Sequence, residues 1–163
     1  MSFKPVLHGG FICIVLVAAG VSTATSQPQE STTMHAEGTF DVKTSPQKAD
    51  NADAKAAGFI RISLDKRYHG AIEGSATGEM LASGDGSKSG AYVALEKVSG
   101  SIQGQQGSFV LLHHAVMVDG VPRDWRVTVV PDSGTEKLAG IAGELRILIE
   151  NGKHAYEFDY TLP

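Results

Sequence analysis

Apolar and polar residues alternate along most of the chain after residue 33, and turn-forming residues interrupt the alternation about every ten positions. A period of two is typical of strands that bury one face, and no segment shows a convincing amphipathic helical pattern. The pattern predicts eight strands, in Met34–Lys43, Gly58–His69, Ala71–Ala82, Tyr92–Val98, Ser108–Val118, Asp124–Pro131, Glu144–Glu150 and His154–Leu162. The polar loop between the first two is predicted to hold one helical turn at its alanine-rich end.

Glycines and short turn signals indicate how these strands connect. The stretch Tyr92–Val118 is predicted to be two strands joined by a glycine-rich bend at Gly100, Gly104 and Gly107. Asn151-Gly152 is a strong hairpin signal, because both central positions of that turn need positive φ. Many short strands favour an antiparallel barrel or sandwich, and glycines within strands favour a small, strongly curved barrel. We therefore expect an all-β, eight-stranded antiparallel β-barrel, whose interior is filled by side chains or holds one small ligand.

The N-terminal segment resembles a secretory signal. Lys4 precedes the apolar run Phe11–Val21, and small residues up to Ser26 offer a cleavage site. We expect residues 1–26 to be a signal peptide, 27–33 a flexible leader and 34–163 a single barrel domain that is secreted or periplasmic. The alternative is an uncleaved membrane anchor, for which the apolar run is short.

Composition narrows the function classes. The chain has 163 residues, 42% of them hydrophobic, with a formal net charge of −4. Mild acidity argues against nucleic-acid binding, which needs a basic face. The single cysteine, Cys13, lies in the predicted signal, so the mature chain has no thiol nucleophile or cysteine metal site. The mature chain has no second long apolar run, so we predict no membrane span in it.

Glu96 is the polar residue most at odds with a plain core. Both faces of its predicted strand are largely apolar, so the carboxylate is expected to point into the barrel. A buried carboxylate there suits a general acid or base, or an anchor for a ligand hydroxyl. The alternative is a carboxylate at the barrel mouth, paired with an arginine or facing water.

Adjacent histidines raise a question of orientation, because neighbouring residues of a strand face opposite sides. His113 shares a face with Phe109 and Leu111, whereas His114 lies on the other. One of the two must face inward, and the family resemblance given below implies that it is His113, which we then expect to meet Glu96 on a neighbouring strand. The alternative is a structural histidine bonded to a backbone carbonyl.

Further side chains are candidates for a pocket. Lys66 and Tyr68 continue an apolar strand face and are expected at the barrel rim, where lysine can attract an anion or simply extend to water. Neither a cofactor motif nor paired metal-ligand spacing occurs, so we expect no cofactor and no metal. The catalytic candidates are Glu96 and His113. The residues predicted to bind a ligand are Glu79, Tyr92, Glu96, Phe109, Leu111, His113, Trp125 and Tyr156.

Several segments together resemble a known bacterial family. They are MHAEGTFDVK, GSATGEML, YVALEKVSGSIQGQQGSFVLLHH, VTVVPDSGTEKLAGIAGEL and GKHAYEFDYTL, which span Met34 to Leu162. Their order and spacing are similar to those of domain-of-unknown-function family 3224. The resemblance implies an eight-stranded barrel like that of allene oxide cyclase and, more distantly, of dirigent proteins. It implies no established activity, and it implies a glycine where Glu136 stands here.

Three functions follow from this reading. The first is an exported barrel that binds a small apolar or amphipathic molecule, with Glu96 and His113 as its polar groups. The second is an isomerase or cyclase in which these two residues exchange protons. The third is a packed, non-catalytic interaction module that forms a homo-oligomer, since both faces of Ser108–Val118 are apolar.

Overall fold

A computed structural model describes residues 32–84 and 88–163. The predicted signal peptide and most of the predicted leader lie outside the described residues. Within the described part, eight strands form one closed antiparallel barrel in sequence order, with β8 pairing back to β1. The strands are β1 (Met34–Gln47), β2 (Ile60–Gly70), β3 (Ile72–Ser83), β4 (Gly90–Ile102), β5 (Gln105–Val118), β6 (Val121–Val129), β7 (Ala142–Glu150) and β8 (Lys153–Thr161). The predicted fold class is confirmed.

The central hairpin is longer than the sequence suggested. β4 and β5 pair without interruption from Gly90↔Met117 to Ile102↔Gln105, and the turn is only Gln103-Gly104. Gly100 and Gly107 therefore do not form the bend but lie opposite each other inside the strands. A Cβ on Gly100 would stand 2.2 Å from the Glu73 carbonyl oxygen, so these glycines permit the close strand approach of a tightly curved barrel.

β1 also runs further than predicted, to Gln47, and includes Pro46. Beyond Phe40, β1 pairs only with β2, so a residue without an N–H is tolerated on the free side. The predicted helical turn is α1 (Ala52–Ala57), which Asn51 caps by accepting a hydrogen bond from the Ala54 N–H at 2.8 Å.

The two ends of the barrel differ. At one end, here called the closed end, the β6–β7 connection folds inward through the 3₁₀ turn Glu136–Leu138 and buries Leu138 and Ile141. Hydroxyls of Ser133 and Thr135 accept hydrogen bonds from the β5 backbone, which fixes this connection. The opposite end, here called the open end, carries the β1–β2, β3–β4, β5–β6 and β7–β8 connections.

Inward residues follow strict alternation. β4 buries Ala94, Glu96 and Val98, and its intervening residues Val93 and Leu95 are exposed. Most of the buried apolar side chains form one cluster, which reaches the closed end. Among them are Ile72, Ile102, Phe109, Leu111, Leu138, Ile141, Leu145, Tyr156, Phe158 and Tyr160. The polar interior residues lie between this cluster and the open end.

Candidate functional site

Four side chains form a polar cluster inside the barrel: Lys66, Tyr68, Glu96 and His113. Glu96 is completely buried, and Lys66 and His113 are nearly so. The Lys66 Nζ donates to Glu96 Oε2 at 2.5 Å, and the Tyr68 hydroxyl donates to Glu96 Oε1 at 2.8 Å. His113 Nε2 lies 3.0 Å from Glu96 Oε2. Glu96 is thus the common acceptor of the polar cluster.

Small residues on β3 allow this convergence. Lys66 and Tyr68 belong to β2, whereas Glu96 belongs to β4, and β3 lies between them. The inward positions of β3 opposite these residues are Gly74, Ala76 and Gly78. A Cβ on Gly78 would lie 2.9 Å from the Glu96 Cα, too close for a side chain. The side chains of β2 therefore reach over β3 to the carboxylate.

Electrostatics keep Glu96 ionised. Burial alone would raise the pKa of this carboxyl group, but the contact with His113 and the charge of Lys66 outweigh burial and hold the pKa at about 2. Burial, with the adjacent carboxylate, raises the pKa of Tyr68 well above its usual value, so its hydroxyl remains a donor. The Lys66 ammonium also lies 4.6 Å from the centroid of the Phe40 ring, a cation–π contact.

Two nitrogen atoms near the polar cluster lack a good hydrogen bond. The His113 Nε2 is close enough to Glu96 to attract it, yet the angle of approach is too poor for a hydrogen bond. The Trp125 Nε1 also makes no hydrogen bond of good geometry among the described residues, although the Tyr92 hydroxyl is its polar neighbour. Buried polar atoms are rarely left unpaired in proteins, so both nitrogens mark this region as unusual.

A cavity separates the polar cluster from the open end. Its volume is about 130 Å³, and its lining is apolar and aromatic apart from Lys66 and two histidines. The lining residues are Phe40, Val42, Leu64, Lys66, Met80, Tyr92, Ala94, His113, Trp125, Ile147, Ile149 and His154. A second cavity of about 190 Å³ shares Met80 and Tyr92 with the first and continues along β2–β4 toward the open end. Glu96 borders neither cavity.

The structure divides the predicted site residues into groups. Tyr92, His113 and Trp125 line the cavity, and Glu96 lies behind it in contact with His113, as expected. His113 rather than His114 faces inward. Glu96 pairs with Lys66, and not with the arginine or water of the alternative interpretation.

Three predicted pocket residues instead belong to the packed core. Phe109 and Leu111 are fully buried in the apolar cluster and do not border the cavity. Tyr156 is also buried there, and its hydroxyl accepts from the Ile72 N–H at 2.7 Å. That bond joins β8 to the start of β3, so the Tyr156 hydroxyl is a structural group and not one that faces a ligand.

Glu79 does not line the interior cavity. Alternation on β3 turns Glu79 outward, where its two carboxylate oxygens accept hydrogen bonds at 3.0 Å from Arg61 Nε and Nη2. Met80, the next residue, lines the cavity in its place.

Lys66 and Tyr68 were expected at the rim but lie in the interior. The available signal was their position on the same face as Ile62 and Leu64, which predicted an inward direction. Alternation does not give depth along the barrel, and a lysine is usually placed at the surface on statistical grounds. Phe40 and His154, whose tilted rings contact each other at the cavity with centroids 5.1 Å apart, were also missed.

Residues 32–84 and 88–163 contain neither a candidate metal site nor a helix that could span a membrane. No group of three or more His, Cys, Asp or Glu side chains is arranged to hold a metal ion there. In the same residues, no helix has the length and apolar character needed to cross a membrane.

Comparison with known proteins identifies the family. The model of the family "Protein of unknown function (DUF3224)" matches residues 36–160. A crystal structure of a DUF3224 protein of unknown function from Shewanella oneidensis MR-1 is similar, with a TM-score of 0.71 and 39% identity over 81% of this chain and all of that chain. No curated protein matches. The chain belongs to the DUF3224 family.

Proposed function

We propose that this protein binds a small, mostly apolar molecule in the cavity at the open end of the barrel. The observation that carries this proposal is the contrast within the lining: aliphatic and aromatic side chains surround a floor formed by Lys66 and His113. Binding sites for small molecules typically combine an apolar wall with a few placed polar groups. Eight-stranded barrels are of the size that holds one small ligand.

The size of the cavity limits the ligand. Volumes of about 130 and 190 Å³ are each below the roughly 300 Å³ at which pockets for drug-sized molecules begin. The two adjoin through Met80 and Tyr92, so a short chain or a single ring fits better than a large lipid.

Glu96 supports binding more readily than proton transfer. Its carboxylate does not border the cavity, and its pKa of about 2 keeps it ionised at neutral pH. In this arrangement Glu96 positions Lys66 and His113 and does not itself contact the ligand. An isomerase or cyclase would have to use His113, with Glu96 orienting the ring; this alternative stays a prediction, as does export of the protein.

Trp125 makes the binding proposal testable, because it is the only tryptophan of the chain and it lines the cavity. Titration with 1-hexanol is expected to change the Trp125 fluorescence saturably, and native mass spectrometry is expected to show one molecule bound per chain. Ala94→Leu adds a side chain to the cavity wall and should abolish the change. Ala57→Leu, on exposed α1, is the matched control and should retain it. Equal binding by both variants would place the ligand elsewhere and overturn the proposal.

The third function also stays a prediction. The outer face of β3–β5 exposes Leu81, Val93, Leu95, Leu112 and Val116, which an interaction module would bury. Sedimentation equilibrium would show whether the protein associates in solution.

A further inference from the structure

We infer that the ligand of this cavity carries a carboxylate, which binds at Lys66 and His113 with its apolar part directed toward the open end. The inference rests on the proposed binding function and adds the chemical class of the ligand. It is argued from the balance of donors and acceptors, the direction of the buried ion pair and the charges of the lining.

Donors outnumber acceptors at the cavity floor. Lys66 has three N–H groups, of which one is directed to Glu96, whereas His113 Nε2 already lies 3.0 Å from Glu96 Oε2 and Trp125 Nε1 has the Tyr92 hydroxyl as its neighbour. Glu96 is the carboxylate that these donors share, and it already accepts from Tyr68 and Lys66. A ligand that supplies acceptor atoms can accept from the remaining N–H groups of Lys66, and such a hydrogen bond is stronger in a buried site than in water.

The ion pair between Lys66 and Glu96 presents its positive end to the cavity. Glu96 lies on the far side of Lys66, away from the cavity, whereas Lys66 borders the cavity. A molecule that enters from the open end therefore meets the positive end of the pair first. A negative group there completes a sequence of alternating charges, and a cation would meet the ammonium directly.

The charges of the other residues that line the cavities also favour an anionic ligand. Among the described residues, neither cavity is bordered by an aspartate or a glutamate. Titratable lining groups that can carry positive charge are Lys66, His113 and His154. A single carboxylate would share the Lys66 ammonium with Glu96, and the apolar residues Val42, Met80 and Ile147 suit a short hydrocarbon chain or ring.

Three six-carbon probes test the inference on the unmodified protein: hexanoate, 1-hexanol and hexylamine, at fixed ionic strength and pH 7. The dissociation constant of each is measured from Trp125 fluorescence. Hexanoate is expected to bind about 10- to 100-fold more tightly than hexanol, as hydrogen bonds to charged groups allow. Hexylamine is expected to bind most weakly.

A double variant assigns the preference to the ion pair. Lys66→Met with Glu96→Gln removes both charges, leaves the net charge unchanged and avoids an unpaired buried ion. It should lose the preference for hexanoate over hexanol, measured as the ratio of their two dissociation constants. Lys97→Met, on the exposed outer face of β4, is the control and should keep the preference.

The outcomes separate the two proposals. Equal binding of hexanoate and hexanol, or tighter binding of hexylamine, overturns the carboxylate inference and leaves the cavity function standing. Absence of binding by all three probes overturns both. A preference that survives in the double variant shows that the carboxylate binds elsewhere and also overturns the inference.

Discussion

The two ends of the barrel use the same inward positions for different purposes. At the closed end these positions hold aromatic and aliphatic side chains, with Phe158 stacked between Phe109 and Tyr160 at centroid distances of 5.9 and 5.1 Å. Toward the open end the same alternation places Lys66 and His113 beside a cavity. The closed end is a core that stabilises the barrel, which allows the open end to keep charged groups and unfilled space.

A matched pair of truncations should expose this difference most strongly. Phe158→Ala removes a completely buried ring from the closed end and is expected to lower the free energy of unfolding by about 5 kcal/mol. Phe40→Ala, beside the cavity, should cost about 3 kcal/mol, because one side of that ring already borders empty space. Urea unfolding followed by circular dichroism gives both values. A larger loss for Phe40 would reverse the proposed roles of the two ends.

Glu96→Ala should cost about 3 to 4 kcal/mol, because it leaves the Lys66 ammonium buried without its anion. The matched control is Glu79→Ala, which breaks an ion pair with Arg61 on the outer face and should cost less than about 1 kcal/mol. The same urea experiment compares them. Similar losses would mean that the buried pair is no more important than the exposed one.

The inward directions in this site were only partly predictable from local pattern. Alternation puts neighbouring residues on opposite faces of a sheet. Both faces of the strands that hold Glu96 and His113 are largely apolar, however, so the choice of His113 over His114 depended on the family resemblance. The same argument, applied strictly, would have placed Glu79 outside with Glu73 and Ser75, because Met80 continues the inner face of β3.

Depth along the barrel was not predictable in this way. Tyr156 and Tyr92 both face inward, yet Tyr156 lies in the packed core and Tyr92 borders the cavity. Depth depends on the stagger of neighbouring strands and on which end the β6–β7 connection fills, and neither has a signature within one strand. The same reason explains why Lys66, two strands away from Glu96, was expected at the rim.

Acidification should weaken the barrel through the polar cluster. The pKa of Glu96 is lowered from its ordinary value of 4.5 to about 2, so its ionised form stabilises the fold fully above pH 4.5. This contribution is lost as the pH falls from 4.5 toward 2. Unfolding free energies of the protein and of Glu96→Gln, measured from pH 7 to pH 3, should therefore converge at low pH. Parallel curves would contradict the lowered pKa.

The smallest predicted effect concerns the segment that fills the closed end. Glu136 begins the 3₁₀ turn with φ of 53°, a left-handed conformation that costs a residue with a side chain roughly 1–2 kcal/mol. Glycine adopts it freely but loses more chain entropy on folding, so Glu136→Gly should stabilise the protein by about 0.5 to 1 kcal/mol.

Asn151→Gly is the corresponding change at the open end. Asn151 has φ of 51° in the β7–β8 turn, but asparagine tolerates this conformation, so the substitution should be nearly neutral. Thermal unfolding of both variants gives the comparison. A gain only for Glu136→Gly would show that the closed end retains backbone strain at the position where it closes, whereas equal effects would show that strain does not distinguish the two ends. Since the segment Glu136–Leu138 lies opposite the cavity, neither outcome should change the binding of hexanol.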